Sequence, residues 1–535
     1  MKRALPAYWI LMAALSAPGV EPGIIQPFEQ EAKFISANPI DDHVLTLLRK
    51  RGIEPANPCS DAVFFRRVHL DVIGTLPEPK AVVAFLQDRN PNKRATVIND
   101  LLKRNEFADY WSMKWCDLLR VKAEFPINLW PNAVQAYHRW IHDQIRENCP
   151  YDQFARDLLT SSGSNFRVPP VNFYRAVQRR EPDAIAEAVA LTFMGTRVSS
   201  WPEARRAGMA AFFTRIAYKG TAEWKEEIVC LNPAPSDSLK AVFPDGTSVQ
   251  IAPGEDPRKV FADWLITPTN PWFARNIVNR VWAWLMGRGI THEPDDIQPD
   301  NPPVNPELLA YLEKELVNAK YDLRHIYRLI LNSRTYQQSP IPRSNDPQAE
   351  AMFACYPVRQ LDAEVLIDAL NWISGTGEGY SSMIPEPFTF IPESQPSISL
   401  ADGSITSQFL EMFGRPPRDT GLESERACKP TAKQRLHLLN ATHVQEKLQR
   451  SRRLTGLVQA VEGKWKGKGK GNDKANHKGK NLGIIRWIYL TILSRDPMPA
   501  ELTAAENYFK TGGLKQGAED LAWALINTKE FLYRH

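Results

Sequence analysis

At 535 residues the chain is too long for one ordinary core, so two or three domains are expected. A hydrophobic content of 43% and a charged content of 24%, with 28 Gly and 42 Pro, mark a globular protein and exclude disorder along the whole chain. The formal charge of +5 is local: Gly463 to Lys480 carries seven Lys and one Asp, or +6, and leaves the remainder at −1. The folded body is neutral, which excludes global basicity as an argument for nucleic-acid binding, and no nucleic-acid partner is expected.

The N-terminus reads as a signal peptide over residues 1–19. Lys2 and Arg3 form a positive start, Ala4 to Leu15 is apolar, and Ala17-Pro18-Gly19 offers small residues at a cleavage site. The apolar run is about a dozen residues, short of the ~20 that span a bilayer. An exported product of the periplasm or cell surface is expected, with no integral membrane span after signal removal; an uncleaved N-terminal anchor is the other reading.

Helical periodicity follows along the chain. Val97, Ile98, Leu101 and Leu102 share one face, then Phe107, Trp111, Trp115 and Leu118, then Phe273, Ile277, Val281 and Leu285. Asn305-Pro306-Glu307 supplies an N-cap, a first-turn Pro and an early acid for a helix burying Leu308, Leu309, Leu312 and Leu316. Asp322 caps the next. Later helices are expected over Leu361 to Leu370, Gln434 to Gln449, Ile484 to Leu493, Pro499 to Phe509 and Ala518 to Ile526. Strand signals are few, the clearest being Ala241 to Ile251 about an Asp245-Gly246 turn. The expected fold is mainly α: two helical domains, 36–230 and 257–535, joined by a Pro-rich segment, 231–256, that holds a small β-hairpin. A Lys/Gly-rich insertion occupies 463–483 and reads as a solvated loop, with contact to an acidic polymer as the other reading.

Two sets of ordered motifs carry a resemblance. Arg66-Arg67-Val68-His69-Leu70-Asp71, Gly74 and Pro77, Tyr110-Trp111, Trp115-Cys116-Asp117-Leu118-Leu119-Arg120, Pro150-Tyr151-Asp152-Gln153-Phe154 and Phe193-Met194-Gly195-Thr196-Arg197 form the first. Phe273 to Trp282, Gly287-Arg288-Gly289, Asp295-Asp296, Asn301-Pro302-Pro303, Arg359-Gln360-Leu361-Asp362-Ala363-Glu364, Leu438-Leu439-Asn440 and Asn527 to Phe531 form the second. The chain from about residue 40 onward resembles planctomycete-type exported proteins that pair domain of unknown function 1549 (the cytochrome-associated PSCyt type) with domain of unknown function 1553 (the PSD type). In that family a Cys-x-x-Cys-His haem-attachment motif follows the F-x-G-x-R run. Here Val198-Ser199-Ser200-Trp201-Pro202 stands in that place. Covalent haem needs two thiols and an adjacent imidazole. The six cysteines, Cys59, Cys116, Cys149, Cys230, Cys355 and Cys428, form no C-x-x-C, so no cofactor is expected. Disulfides and buried free thiols are both compatible with their spacing.

Candidate sites are each set against a plainer explanation. Arg275, Asn276, Asn279 and Arg280 interrupt an apolar helix, and Asp295, Asp296, Gln298, Asp300 and Asn301 make an oxygen-rich loop after it. Together Arg275, Asn276, Asn279, Arg280, Asp295, Asp296, Asp300 and Asn301 form the candidate cluster. It reads as a buried clamp, as an anion-binding site through its arginines, or as a Ca²⁺ loop that lacks EF-hand spacing. His138 and His142 lie four apart on a helix, but Arg139 stands where a zinc protease needs its Glu. Cys428-Lys429-Pro430-Thr431-Ala432 lacks the Arg of a sulfatase site, and the serine-elbow and P-loop patterns do not occur. Trp130 and Trp201 beside Pro are candidates for a sugar-binding surface. The expected function is a non-catalytic exported binding or scaffold component, its partner an extracellular glycan or another cell-surface protein. The alternatives are an enzyme acting on extracellular polysaccharide or sulfated glycan and, more weakly, a haem-free docking partner of a separate c-type cytochrome.

Overall fold

The computed structural model describes residues 24–31, 34–232, 237–427, 429–466 and 473–535, with the side chains of 461–480 left aside. The signal-peptide reading, Cys428 and residues 467–472 of the Lys/Gly tract lie outside these; the described remainder of the tract, expected as a loop, is helical, within Arg452–Lys466 and Asp473–Ile492. Among the described residues the fold is mainly α, and no helix is long and apolar enough to cross a membrane.

Local chemistry sets the helix ends. The Asn305 side chain accepts from the Leu308 amide and opens Pro306–Asn318, and the Asp322 side chain does the same for Leu323–Leu331 through the His325 amide. Phe273–Met286 ends on Gly287, whose φ of 72° is the left-handed cap that glycine adopts without strain. Two helices are buried on nearly every side, Asp61–Val72 in the N-terminal half and Phe273–Met286 in the C-terminal half. Neighbouring elements cover them on most sides, and Asp61–Val72 carries Arg66, Arg67, His69 and Asp71 into the interior along with its apolar residues. Aromatic packing joins the halves: Trp284 lies 5.4 Å from Trp111 and 6.0 Å from Trp115, both on Asn105–Leu118. One apolar core runs through residues of both halves.

The hairpin of the Pro-rich segment pairs Leu239–Val242 with Ser248–Ile251, antiparallel and in register from Leu239↔Ile251 to Val242↔Ser248. Two further elements differ from the sequence-based expectation. Ile216–Gly220, Glu227–Leu231 and Gly163–Ser164 form a three-stranded antiparallel sheet ahead of the hairpin. The expected helix Gln434 to Gln449 is two, Ala432–Asn440 and Thr442–Gln449, because Ala441 adopts an extended ψ of 132°. The five described cysteines are free thiols.

Candidate functional site

The structure does not gather the candidate cluster into one site: Arg280 pairs with Asp295 and Asn301 with Asp296, while Arg275, Asn276 and Asn279 bond to residues outside it. Arg280 donates to Asp295 at 2.7 Å, and their side chains are 1% and 0% exposed. Burial pushes the Arg280 guanidinium down, but Asp295 and Glu423 bring it above its ordinary value. The other Asp295 oxygen accepts the Glu423 backbone amide at 2.7 Å. Asn279 clasps Thr291 from both sides, donating to its carbonyl and accepting from its amide. Asn276 donates to the Thr192 carbonyl, beside Gly195, where a Cβ would meet the Asn276 Oδ1 at 2.5 Å. Gly195 therefore serves close approach in the F-x-G-x-R run. Asp296 accepts from Gln298, and Asn301 donates to the Asp296 carbonyl, so the loop oxygens cap and turn the chain. Arg275 pairs with Glu313 at the surface, and Asp300 is exposed and apart. These groups share no open cleft. His142 turns to Asp109 at 3.2 Å, and that hydrogen bond raises its pKa; half-buried His138 is pushed down to about 3 by desolvation. No group of three or more His, Cys, Asp and Glu side chains among the described residues is placed to hold a metal ion.

A larger ionic seam lies where the two motif sets meet. Asp71, buried, accepts from the hydroxyls of Tyr336 and Tyr356 at 2.8 Å each and from Arg359 at 3.0 Å, and Arg534 lies 3.1 Å away. Asp117 pairs with Arg418 at 2.8 Å and with Arg426 at 2.6 Å. Arg426 reaches on to Glu364 at 2.7 Å, and Asp362 collects Lys114 at 2.9 Å, Arg534 at 2.9 Å and the Tyr110 hydroxyl at 2.9 Å. Burial opposes ionisation of Asp362, yet Lys114, Arg534 and Arg426 hold it well below the usual carboxylate range. Arg67 adds hydrogen bonds to the carbonyls of Tyr336, Gln338 and His535. Sequence reasoning missed this seam as a unit. Its signal was the set of charged residues inside apolar helices, Arg66, Arg67, Asp71 and Lys114.

Residues 39–201 match the family model described as PSCyt2, protein of unknown function (DUF1549), and residues 257–509 match that described as PSD1, protein of unknown function (DUF1553). The chain pairs a PSCyt2 domain with a PSD1 domain. No curated protein and no solved structure matches it. The seam is thus built from charged residues of the PSCyt2 match (Asp71, Lys114, Asp117) and of the PSD1 match (Arg359, Asp362, Glu364, Arg418, Arg426), closed by Arg534 beyond the matched range.

Two surface features remain chemically open. The first is a cleft of about 570 Å³ in the PSD1 half, lined by Glu378, His437, His443 and Lys447 among others. Glu378 lies 3.0 Å from His443 Nε2 and 2.9 Å from Lys447 Nζ, and although burial opposes it, these two partners hold its pKa below the ordinary carboxylate value. The second is aromatic. Trp130, Trp224 and Phe388 come from three separate loops and meet at centroid distances of 4.7, 5.8 and 6.2 Å, with the Lys225 ammonium 5.1 Å from the Trp130 ring. Trp224 is 59% exposed and Phe388 45%, and exposed Phe125, Met383 and Phe390 sit on the same loops. Glu124 ties the first loop to the third by accepting from the Ser382 hydroxyl and the Met383 amide, 2.7 Å each. Trp201, by contrast, is buried with Arg205 stacked on it at 3.8 Å and joins no surface.

Proposed function

We propose that this PSCyt2–PSD1 protein is an exported, non-catalytic binding component of the periplasm or cell surface that holds an extracellular saccharide on the Trp130–Trp224–Phe388 patch. The domain limits 36–230, 231–256 and 257–535 and the signal peptide 1–19 belong to the same proposal. The observation that carries it is the meeting of two exposed rings, Trp224 and Phe388, with half-buried Trp130, from three loops. Large apolar side chains left in water in one group mark a binding surface, whereas scattered ones do not. The Trp130 and Trp224 rings stand edge to face, and Lys225 interleaves charge with them. A sugar ring, with C–H faces and hydroxyl edges, matches such a faceted surface better than a broad apolar protein interface does. The clamps and the seam support a scaffold, since their charged groups face one another and leave no reacting centre open.

The test is affinity electrophoresis and a glycan array with the mature protein and Trp224→Ala. Saccharide binding that weakens about ten-fold in the variant, the loss typical of removing a central aromatic anchor, is the expected result. Capture of a cell-surface protein with no saccharide bound would replace the ligand, and binding unchanged in the variant would remove the patch.

A second reading, an enzyme acting on extracellular polysaccharide or sulfated glycan, is favoured by the Glu378–His443–Lys447 cleft. An ionised carboxylate beside an imidazole is a proton-transfer pair. Saccharide turnover by the wild type that is abolished in Glu378→Gln would establish it over the binding reading.

A further inference from the structure

Several guanidinium groups of the junction meet a carboxylate and others, such as Arg67, are met by backbone carbonyls; Arg120 and Arg197 keep nitrogens with no acceptor, and both line one cavity. The cavity has a volume of about 370 Å³ and takes Arg120, Arg179 and Arg197 from the PSCyt2 half and Asp419, Thr420 and Leu422 from the PSD1 half. Arg120 is 3% exposed and follows the end of Asn105–Leu118 in a left-handed conformation, φ 56°, that non-glycine residues seldom adopt. Its Nε donates to the Ala176 carbonyl at 3.2 Å and its Nη1 to the Thr420 carbonyl at 3.4 Å, while buried Nη2 has no acceptor. Gly421 lets the PSD1 loop lie against it, since a Cβ there would come within 2.8 Å of Arg120 Nη1. Arg197 is the last residue of the F-x-G-x-R run, fixed by its neighbour Thr196, whose hydroxyl donates to the Ile297 carbonyl at 2.9 Å. Arg197 Nε is buried without an acceptor, and its side chain makes no ion pair or hydrogen bond among the described residues.

The nearby acids make no ion pair with Arg120 or Arg197, although Glu425 lies close enough to favour the charged form of Arg120. Asp419 is held by Lys122 at 2.6 Å, and Glu425 Oε1 accepts the Thr420 amide at 2.8 Å. Glu187 stands exposed on Pro182–Val189, and Arg179 is shared with Asp183 at 3.5 Å on the surface. Burial pushes the Arg120 guanidinium below its ordinary value. The opposite wall is apolar, formed by Val177, Ala184, Ala188 and Leu191, with the Ser199 hydroxyl and the Gln178 amide at the rim. Buried N–H groups of a permanent cation carry a desolvation cost that only an acceptor removes. The planar fork of arginine suits a carboxylate or sulfate, whose paired oxygens take two parallel hydrogen bonds.

We propose that the cavity at the PSCyt2–PSD1 junction binds a compact oxyanion group, carboxylate or sulfate, between Arg120 and Arg197, with any organic body of the ligand against the Val177–Leu191 wall. The site is separate from the aromatic patch and stands or falls independently of saccharide binding there.

Calorimetric titration of the full chain with sodium sulfate, sodium acetate and sodium glucuronate, at ionic strength fixed by sodium chloride, tests it. Saturable binding of at least one oxyanion is expected, weakened roughly ten-fold or more in Arg197→Gln, whose lost guanidinium has no protein partner to leave behind. Sulfate alone binding assigns a sulfate group; acetate with glucuronate assigns a carboxylate, and glucuronate over acetate places an organic body on the apolar wall. Because Arg120→Gln removes hydrogen bonds that the fold uses, Arg120 is probed instead by Arg120→Lys, which keeps the charge and loses the fork. Phenylglyoxal labelling of Arg197 in the unaltered protein gives a second measurement, with protection by the bound anion expected. Binding no different from chloride, or an Arg197→Gln variant that binds like wild type, overturns the proposal.

Discussion

The seam and the Arg120–Arg197 cavity lie side by side at the same junction and handle the same functional group in opposite ways. At the seam, Arg418, Arg426 and Arg534 each lie within 3 Å of a carboxylate from Asp117, Glu364 or Asp362, out of water. In the cavity, Arg197 belongs to the lining, and its buried Nε has no acceptor among the described residues. A guanidinium that the fold needs for cohesion is answered from within. One left unanswered at the edge of a cavity points outward, to a ligand. Pairing, more than burial or position in a motif, separates the two roles, since the motifs contain both kinds.

The sharpest way to break this contrast is to unbalance the seam. Asp362→Ala strands Lys114, Arg426 and Arg534, and removing one partner of a buried ion pair costs about 3–5 kcal/mol. The loss is read as a lower denaturant midpoint at unchanged m-value, and a cost under about 1 kcal/mol would show that the seam is a surface-like network.

A somewhat smaller effect concerns half-buried His138, which desolvation and Arg418 keep neutral down to about pH 3. His69 and His535 are likewise pushed down to about 4 by burial. The unfolded chain takes up protons at these rings around pH 6.5 while the fold does not, so stability present above that value is lost as pH falls towards 4. Each such ring contributes on the order of 3 kcal/mol. Asp368, pushed up to about 7 by burial, works in the other direction, since its stabilisation of the fold is lost as pH rises through that value. His138→Gln flattens the dependence of the unfolding free energy between pH 4 and 6.5, and an unchanged slope would show that His138 is protonated in the fold.

The smallest effect sharpens the other side of the comparison. Arg197→Gln changes stability without ligand by no more than about 0.5 kcal/mol, because no protein group loses a partner. A larger loss would mean that Arg197 supports the fold after all.

Much of the helical framework was legible because its causes are local. The Asn305 and Asp322 caps and the apolar faces of Asn105–Leu118 and Phe273–Met286 each repeat within a turn or two of chain. The sheet containing Gly163–Ser164 was not legible, because a two-residue strand has no alternation to read and its partner lies more than sixty residues on, at Ile228 and Val229. Nor was the break at Ala441, where a good helix former adopts an extended ψ. At the candidate cluster, residue type showed that Arg280 and Asn279 need partners, but only the fold identifies them as Asp295 and Thr291. The aromatic patch left no periodic trace, for Trp130, Trp224 and Phe388 stand singly on loops far apart in sequence.

Asp71 has a consequence for how the molecule is made. Every partner of its carboxylate, Tyr336, Tyr356, Arg359 and Arg534, is synthesised hundreds of residues later. While the first half emerges from the ribosome, that acid and the guanidinium of Arg67 have nothing to close upon, so the early portion must wait, hydrated and incompletely collapsed, for the late one. Severing the backbone between the two matched regions and expressing each piece alone should yield fragments that aggregate or stay molten, and co-expression should restore a single folded particle.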